Sequence, residues 1–422
     1  NNTYFYPSIS GSFVFSELVE PTYWFTYGKI RANYAEVGNM AQPLSVFDTY
    51  NLLAPYGSVS LGSVNATRNN PDLKPERTNS YELGLEMTFM DGRTGFDVTY
   101  YNANSKDQIL RTPLSRTTGY DAQWINAGEV VNKGFEVSAF VTPVKTDAFS
   151  WTVNANWTRN RSEVIDLGPI ETYQIAAYQG GVSLNATKGE PFGIIRGAGF
   201  VYNDKGQRVV GDNGLYLSNR NANTNIGDIN PDWIGGVNNT LKYKGISMGF
   251  LIDVKKGGDV FSLDQAYGQY TGVPDNTSFI NDLGNPVRNP IIQNTDGSYD
   301  PKSGGMILPG AKADGTQNTK RVQVFDAMGY INAPEMFIYD ASYVKLREAT
   351  IGYSLPESLV SKLGVFKGID LSVYGRNLYI FHKNTPYSDP EEGLSAGTLS
   401  LGYQSGSYPT MRNVGFNVRA RF

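Results

Sequence analysis

Val414-Gly415-Phe416-Asn417-Val418-Arg419-Ala420-Arg421-Phe422 closes the chain, and the fold turns on how it is read. Side chains alternate faces along a strand, so Val414, Phe416, Val418, Ala420 and Phe422 fall on one side and Gly415, Asn417, Arg419 and Arg421 on the other. A soluble domain would bury the apolar face in a protein core. A transmembrane barrel would turn it to lipid, point the arginines into an aqueous lumen and set the last aromatic at the membrane boundary. The choice depends on whether the pattern recurs.

It recurs along the whole chain. Phe5, Ile9, Gly11, Phe13 and Phe15 share one face of a first strand, and Ile30, Ala32 and Tyr34 alternate with Arg31 and Asn33 in a second, spanning about 24–37. Residues 81–89 alternate cleanly, and the Asp91-Gly92 turn returns them into 96–100. After a medium loop holding Trp124, Phe135, Val137, Ala139 and Val141 face Phe149, Trp151, Val153, Ala155 and Trp157 across the short connection 144–147. Residues 237–243 pair with 246–254 across Lys244-Gly245. In 336–353 the alternation breaks: Val344 and Leu346 lie in one frame and Ala349, Ile351 and Tyr353 in the other, which predicts a bulge or a strand passing between a lumenal feature and the lipid belt. One or two helical turns over 356–363 precede Ile369, Leu371, Val373, Tyr379 and Phe381, and the terminal strand follows.

That makes eleven strands joined alternately by short and long connections. Outer-membrane barrels have short periplasmic turns and long extracellular loops, so the phase predicts an all-β transmembrane antiparallel barrel. The stretches 38–78, 164–231, 259–335 and 383–409 are placed outside the cell and Phe422 in the periplasm. An odd strand count, together with a start at Asn1 that has neither a basic nor an apolar leader, predicts further strands upstream.

Composition agrees. The chain has 28 tyrosines, which suits aromatic girdles at membrane interfaces. No run approaches the length of a membrane helix, and a mean hydropathy of −0.34 fits a wall of which only half of each strand meets lipid. The absence of cysteine rules out disulfides and thiolate chemistry, and a net charge of −4 gives no electrostatic case for nucleic acid.

Asn70-Pro71-Asp72-Leu73-Lys74-Pro75-Glu76-Arg77-Thr78, leading into a strand, resembles the loop-to-strand entry of TonB-dependent outer-membrane transporters. Asn132-Lys133-Gly134-Phe135-Glu136-Val137 is similar to their next hairpin. The series 340–356, Asp340-Ala341-Ser342-Tyr343-Val344-Lys345-Leu346-Arg347-Glu348 through Pro356, resembles the SusC-like branch of Bacteroidota, as do Gly375-Arg376-Asn377-Leu378 and Asp389-Pro390-Glu391. The match spans nearly the whole chain as the C-terminal half of the family's barrel. The resemblance implies a 22-stranded barrel in outer-membrane lipid, with a plug and a TonB-contacting segment that this chain lacks. It also implies a SusD-like lipoprotein lid, and it is compatible with a dimer of transporter–lid pairs. Gly211 to Asp228 dilutes an acidic loop of many relatives to asparagines, so no calcium site is carried over. Pro71 and Pro75 are read as fixing the backbone before a strand, and Gly134 and Gly352 as relieving crowding.

Catalysis has little support. The single histidine, His382, lies at a strand end with no Gly-x-Ser-x-Gly elbow, and one histidine without cysteine leaves only carboxylates for metal. No cofactor motif is present. Asp296-Gly297-Ser298-Tyr299-Asp300 reads as a turn rather than a calcium loop. Asp389, Glu391 and Glu392 are expected to be solvated loop acids, not a glycosidase pair. The stronger candidates are Trp124, Tyr173, Tyr178, Tyr267, Tyr270, Tyr387 and Tyr403, in segments placed outside, where rings stack on sugars or pack against a lid. The competing and better-weighted reading is that they pin loops together or mark the outer girdle. Two functions remain, active import of a bulky oligosaccharide or peptide and a structural scaffold built on a transporter-like barrel.

Overall fold

The computed structural model describes residues 3–20, 22–328, 333–392 and 401–422. Eleven strands form one antiparallel meander in which each is hydrogen-bonded to its neighbour in sequence. They are β1 Ser8–Phe13, β2 Tyr27–Asn39, β3 Glu76–Phe89, β4 Thr94–Pro113, β5 Ala122–Lys145, β6 Phe149–Asp166, β7 Pro231–Tyr243, β8 Ile246–Gly257, β9 Tyr343–Ser354, β10 Gly368–Lys383 and β11 Asn413–Arg421. Every segment expected from alternation holds a wall strand, but β1 stops short of Phe5 and Phe15, and within 336–353 the wall strand begins only at Tyr343. A twelfth, Thr67–Arg68, runs parallel to the start of β5. The largest difference from the sequence reading lies at the long-loop end, where β4, β5 and β6 continue well past their apolar stretches. Trp124 therefore sits on β5 rather than in a loop.

Turn chemistry sets the short connections. Met90, Asp91 and Gly92 are all left-handed between β3 and β4, and Lys244 (φ 50°) with Gly245 closes β7 onto β8 in two residues. Residues 146–148 join β5 to β6, and Glu357–Val360 forms a helical turn between β9 and β10. The other end carries 40–75, 114–121, 167–230, 258–342 and 384–412.

Register carries each strand's apolar set into a continuous row. Ala32 pairs with Leu83, Leu83 with Tyr100, Val98 with Val137, and Ala139 with Ala155. The row continues through Val237 opposite Ile252, Phe250 opposite Ala349, and Val373 opposite both Ile351 and Phe416. This face is open: Leu83, Ile351 and Phe416 are 55%, 62% and 66% exposed, and no second sheet packs on it among the described residues. On β3, Tyr81 and Phe89 bracket about 27 Å of strand at ~3.4 Å per residue, close to the height of a lipid-facing apolar band. Tyr81, Tyr100 and Phe135 continue one aromatic line across neighbouring strands, with ring centroids 6.3 and 5.1 Å apart. Phe89 and Phe96 begin the other at 6.1 Å.

The opposite face is polar and largely self-paired. Lys29 meets Glu86 at 2.6 Å, Arg376 meets Glu348 at 2.9 Å, and Arg31 forks onto both oxygens of Asp97 at 2.7 and 2.6 Å. To do so Arg31 crosses from β2 over β3 to β4. It passes over Gly84, where any Cβ would lie in the guanidinium's path. The anticipated bulge is in β9: Leu251 pairs with Glu348 and Ile252 with Leu346, so Arg347 is the extra residue. The insertion lets Lys345, Arg347 and Glu348 all turn charge to the polar side.

Buried apolar side chains cluster in the long connections rather than beneath the sheet. Strands at 172–178, 182–187, 194–200 and 218–228 make a small antiparallel sheet. It packs on a helix, α1 Leu263–Thr271, through Val182, Leu184, Ile195, Phe261, Leu263 and Phe337. Five further hairpin tips repeat one design, each closed by a bridge between residues six apart: Tyr202 to Arg208, Val210 to Tyr216, Ile280 to Pro286, Gln293 to Tyr299 and Ala311 to Gln317. Each carries a left-handed glycine at its fifth position, Gly206, Gly214, Gly284, Gly297 and Gly315. The turn expected at 296–300 is one of these tips. The Ser298 hydroxyl and N–H both donate to Asp296 and hold its carboxyl below the usual range.

Arg321 locks two of the tips together. Its side chain is 1% exposed, forks onto Asp282 at 2.8 and 2.6 Å, donates to the Gly305 carbonyl at 3.0 Å and stands 5.4 Å over the Tyr299 ring. Hydrogen bonds from Arg321 keep the Asp282 carboxyl below its ordinary value. Arg321→Met is expected to leave the Gly305 carbonyl without this donor and to free the tips at 280–286 and 293–299. The check is limited proteolysis, with new cleavage confined to about 275–320 while the barrel strands stay protected.

Candidate functional site

The long connections form a folded crown over one end of the polar face, and the seven candidate aromatics divide within it. Tyr178 and Tyr403 stack at 4.4 Å with planes 20° apart, and Tyr403 stacks in turn on Phe261 at 5.8 Å. Tyr403 is buried, and its hydroxyl donates to the Gln179 carbonyl at 3.2 Å. Tyr267, on α1, accepts from the Gln179 amide at 2.6 Å and packs on the same cluster. These three rings are joined to one another within a single loop core. Tyr173 packs in another core, against Val130, Val164, Leu167 and Ala186.

Three candidates keep open surface. Tyr270 is about half exposed near the end of α1. Tyr387 is 57% exposed in a left-handed conformation (φ 61°), and its hydroxyl donates to Asp275. Trp124 borders a cavity of about 170 Å³ together with Asn39, Gln42, Ser45, Glu76 and Ile109. Glu76, from the Pro75-Glu76 strand entry, has a structural task there. It accepts the Ile109 N–H at 2.9 Å just past a left-handed Asp107, and the Asn39 amide at 2.9 Å. The structure does not bring Trp124 together with the tyrosine stack.

The loop acids correct the sequence expectation. Asp389 is enclosed in an ion-pair network at the rim of the polar face, and Glu391, its side chain 33% exposed, is paired in the same network. Lys345, 3% exposed, reaches both Asp389, 8% exposed, and Glu391, the latter at 2.5 Å. Arg347 bonds Glu391 at 2.8 Å and also Asp253 on β8. The Tyr343 hydroxyl lies 3.1 Å from both Asp253 and Glu391. Thr410 donates to Asp389 at 2.6 Å, so the segment just before β11 joins the same knot. Burial pushes both carboxyls up, but Lys345 and Thr410 at Asp389, and Arg347 and Lys345 at Glu391, bring them below their ordinary values. Each acid is thus a committed anion, not a general acid poised to give up a proton. The Glu392 N–H donates to the Asp389 carbonyl at 2.9 Å. Among the described residues no group of three or more acids or histidines is arranged to hold a metal.

An antiparallel meander with one open apolar face, aromatic rows at both edges of that face, a paired polar face and loops confined to one end defines a transmembrane β-barrel wall. The model of the TonB dependent receptor-like, beta-barrel family matches residues 1–378, and the chain belongs to that family, one of outer-membrane receptors and transporters rather than enzymes. TonB-dependent receptor P26 of Formosa agariphila is 26% identical over 457 residues, covering all of this chain and 43% of that protein. TonB-dependent receptor SusC of Bacteroides thetaiotaomicron is 24% identical over 352 residues, covering 81% of this chain and 32% of its own length. Among solved structures, the RagAB peptide importer in its open-open state superposes with a TM-score of 0.69 at 18% identity, over 98% of this chain and 42% of that one. The chain spans less than half the length of these relatives.

Proposed function

We propose that the chain is the C-terminal part of the barrel of an active importer, in which TonB, acting through a segment outside this chain, drives a bulky oligosaccharide or peptide across the outer membrane. The observation that carries this reading is the crown: at one end of the wall the described parts of three of the five connections, 167–230, 258–342 and 384–412, are folded around buried cores, as expected where loops capture cargo rather than merely close a pore. Support comes from relatives named as TonB-dependent receptors, SusC among them, and from the superposition on a peptide importer. In this reading the crown faces the cell exterior, β11 ends in the periplasm, and a SusD-like lipoprotein covers the crown.

The test is uptake by cells expressing the full-length protein, offered a fluorescent oligosaccharide ladder and, separately, a tryptic peptide digest, with and without a protonophore. Energy-dependent periplasmic accumulation of one class is expected. Passage that ignores the protonophore, or no passage of either class by a folded, surface-exposed protein, overturns the reading. Tyr270 and Tyr387 are the exposed rings among the candidates, and Trp124 lines a cavity open to cargo. Trp124→Ala and Tyr387→Ala are each expected to lower uptake at limiting cargo by about tenfold, the loss of one stacking contact worth ~1–1.5 kcal/mol. Tyr403→Ala should instead act through crown order.

A further inference from the structure

Residues 384–412 join β10 to β11, and their described parts are fastened at two distant places. At the polar wall, Asp389 is tied to Lys345 and Thr410, and Glu391 to Lys345 and Arg347. Asn384 donates to Asp340 at 3.0 Å, and Lys383 and Thr385 both hold the Ser388 carbonyl, at 2.6 and 3.0 Å. In the crown, Tyr403 and Gln404 form a parallel strand beside Phe261 and Ser262. The Gly402 carbonyl accepts the Phe261 N–H at 2.8 Å, the Gln404 amide oxygen accepts from Ser262, and Gly406 donates to Asp264 at 2.8 Å. The connection thus lends the crown core one of its central rings while its base is held by charges on the lumen side.

We infer that the described parts of this connection, 384–392 and 401–412, act as a strap that couples the lumen wall to the crown through the Thr410–Asp389 bond, so that loosening the carboxylate anchor at Lys345 and Arg347 loosens the packing of Tyr403 against Tyr178 and Phe261. The chemistry of the two ends suits this. The anchor is electrostatic and can be displaced by a competing polar or charged group in the lumen, where Arg347 is still about a quarter exposed. The crown end is apolar and stacked, so it holds only while Tyr403 stays in place. Arg347 is the bulge residue of β9, and the extra residue is what aims it at both Asp253 and Glu391. A group that draws Arg347 away from Glu391 therefore acts on the strap directly. Coupling of this kind is reciprocal: what loosens the crown end must loosen the anchor as well.

The test is hydrogen exchange read by mass spectrometry on the full-length protein in detergent micelles. Asp389→Asn with Glu391→Gln removes the anchor's charge without changing its bulk. Amide exchange is expected to rise about tenfold, within the usual range of coupling between sites, in peptides covering 384–392 and also in crown peptides covering 259–267 and 176–184. Tyr403→Ala, which leaves the wall residues intact, reads the coupling in the other direction and is expected to speed exchange at 384–392. Faster exchange at 384–392 with an unchanged crown means a slack strap and overturns the proposal, as does an anchor variant in which neither region changes. Should the double variant fail to fold, Tyr403→Ala alone decides: an unchanged 384–392 overturns the coupling. None of these readouts depends on cargo, so failure of the importer reading and failure of the strap are separable.

Discussion

Lys345→Met is expected to cost local stability at the rim on the order of 3–5 kcal/mol, and to cost more than removing the charge from both sides of the pair. The ammonium is 3% exposed and serves two carboxylates, of which Asp389 is itself 8% exposed. Methionine keeps the volume and most of the apolar stem, so packing is preserved and the loss is electrostatic. Asp389 would keep Thr410 and the Glu391 N–H, at 2.6 and 2.9 Å, but no cation. Breaking a buried pair by deleting one partner typically costs ~3–5 kcal/mol because the remaining charge is left uncompensated. Replacing both partners by groups of similar shape is often close to neutral. The double variant Lys345→Met with Asp389→Asn is therefore expected to recover much of the loss, and a double-mutant cycle measures the coupling. The readout is protection of 384–392 against exchange or proteolysis in the folded barrel. A single variant as protected as the wild type would show that the pair contributes nothing to holding the strap.

Which parts of this molecule were legible in its sequence follows from the range of the interactions that make each part. A wall strand is specified by its own alternation, and a barrel has no buried core to blur the pattern, so Val414 to Phe422 could be read by itself and all eleven strands with it. The β9 bulge was legible for the same reason, since Leu346 and Ala349 change frame within a few residues. The loop acids were not. The cations that pair with Asp389 and Glu391 lie 44 and 46 residues earlier on β9, and only the β9–β10 register brings them to the rim. Alternation marks Lys345 as lumen-facing but cannot say which loop returns to meet it. The aromatics fared between these cases. Tyr178, Tyr267 and Tyr403 do lie in the long connections, but whether a loop ring meets cargo or another ring is decided by contacts spanning more than 200 residues, such as Tyr403 to Gln179. Of the five hairpin tips only the one at 293–299 was read, through its turn at 296–300, and the other four carried a local signal that went unread. Asn203-Asp204-Lys205-Gly206 and Asn281-Asp282-Leu283-Gly284 share one pattern, and Asp296-Gly297-Ser298 and Asp314-Gly315-Thr316 another. Each pairs a side-chain oxygen that caps the turn with the left-handed glycine that it needs.

Gly134→Val is expected to block assembly of the barrel, whereas Tyr101→Phe at the contact it protects should be tolerated. Gly134 lies on β5 between Tyr101 on β4 and Asn160 on β6. The Tyr101 side chain lies across it, and its hydroxyl donates to the Asn160 side-chain oxygen at 2.8 Å. This is the device seen at Gly84 beneath Arg31: a missing Cβ makes a saddle over which a long polar side chain bridges alternate strands. Any Cβ at 134 would run into the Arg159 carbonyl oxygen and come within 2.6 Å of the Tyr101 hydroxyl. The tyrosine could swing away, but the carbonyl belongs to the β5–β6 ladder and cannot yield without breaking register. Overpacking of this kind costs ~1–3 kcal/mol or more, to which the displaced hydrogen bond adds ~1 kcal/mol. Valine's branched side chain makes both terms worse than alanine's would be. Tyr101→Phe loses only the hydrogen bond, ~1 kcal/mol, and keeps the ring over the glycine. Folded barrels can be told from unfolded ones by heat-modifiable migration on gels after outer-membrane extraction. The expected result is loss of most of the folded form for Gly134→Val and near-normal yield for Tyr101→Phe. Equal yields for the two variants would mean that the strand pair has room at 134, and that the glycine in Asn132-Lys133-Gly134-Phe135 is there for some reason other than space.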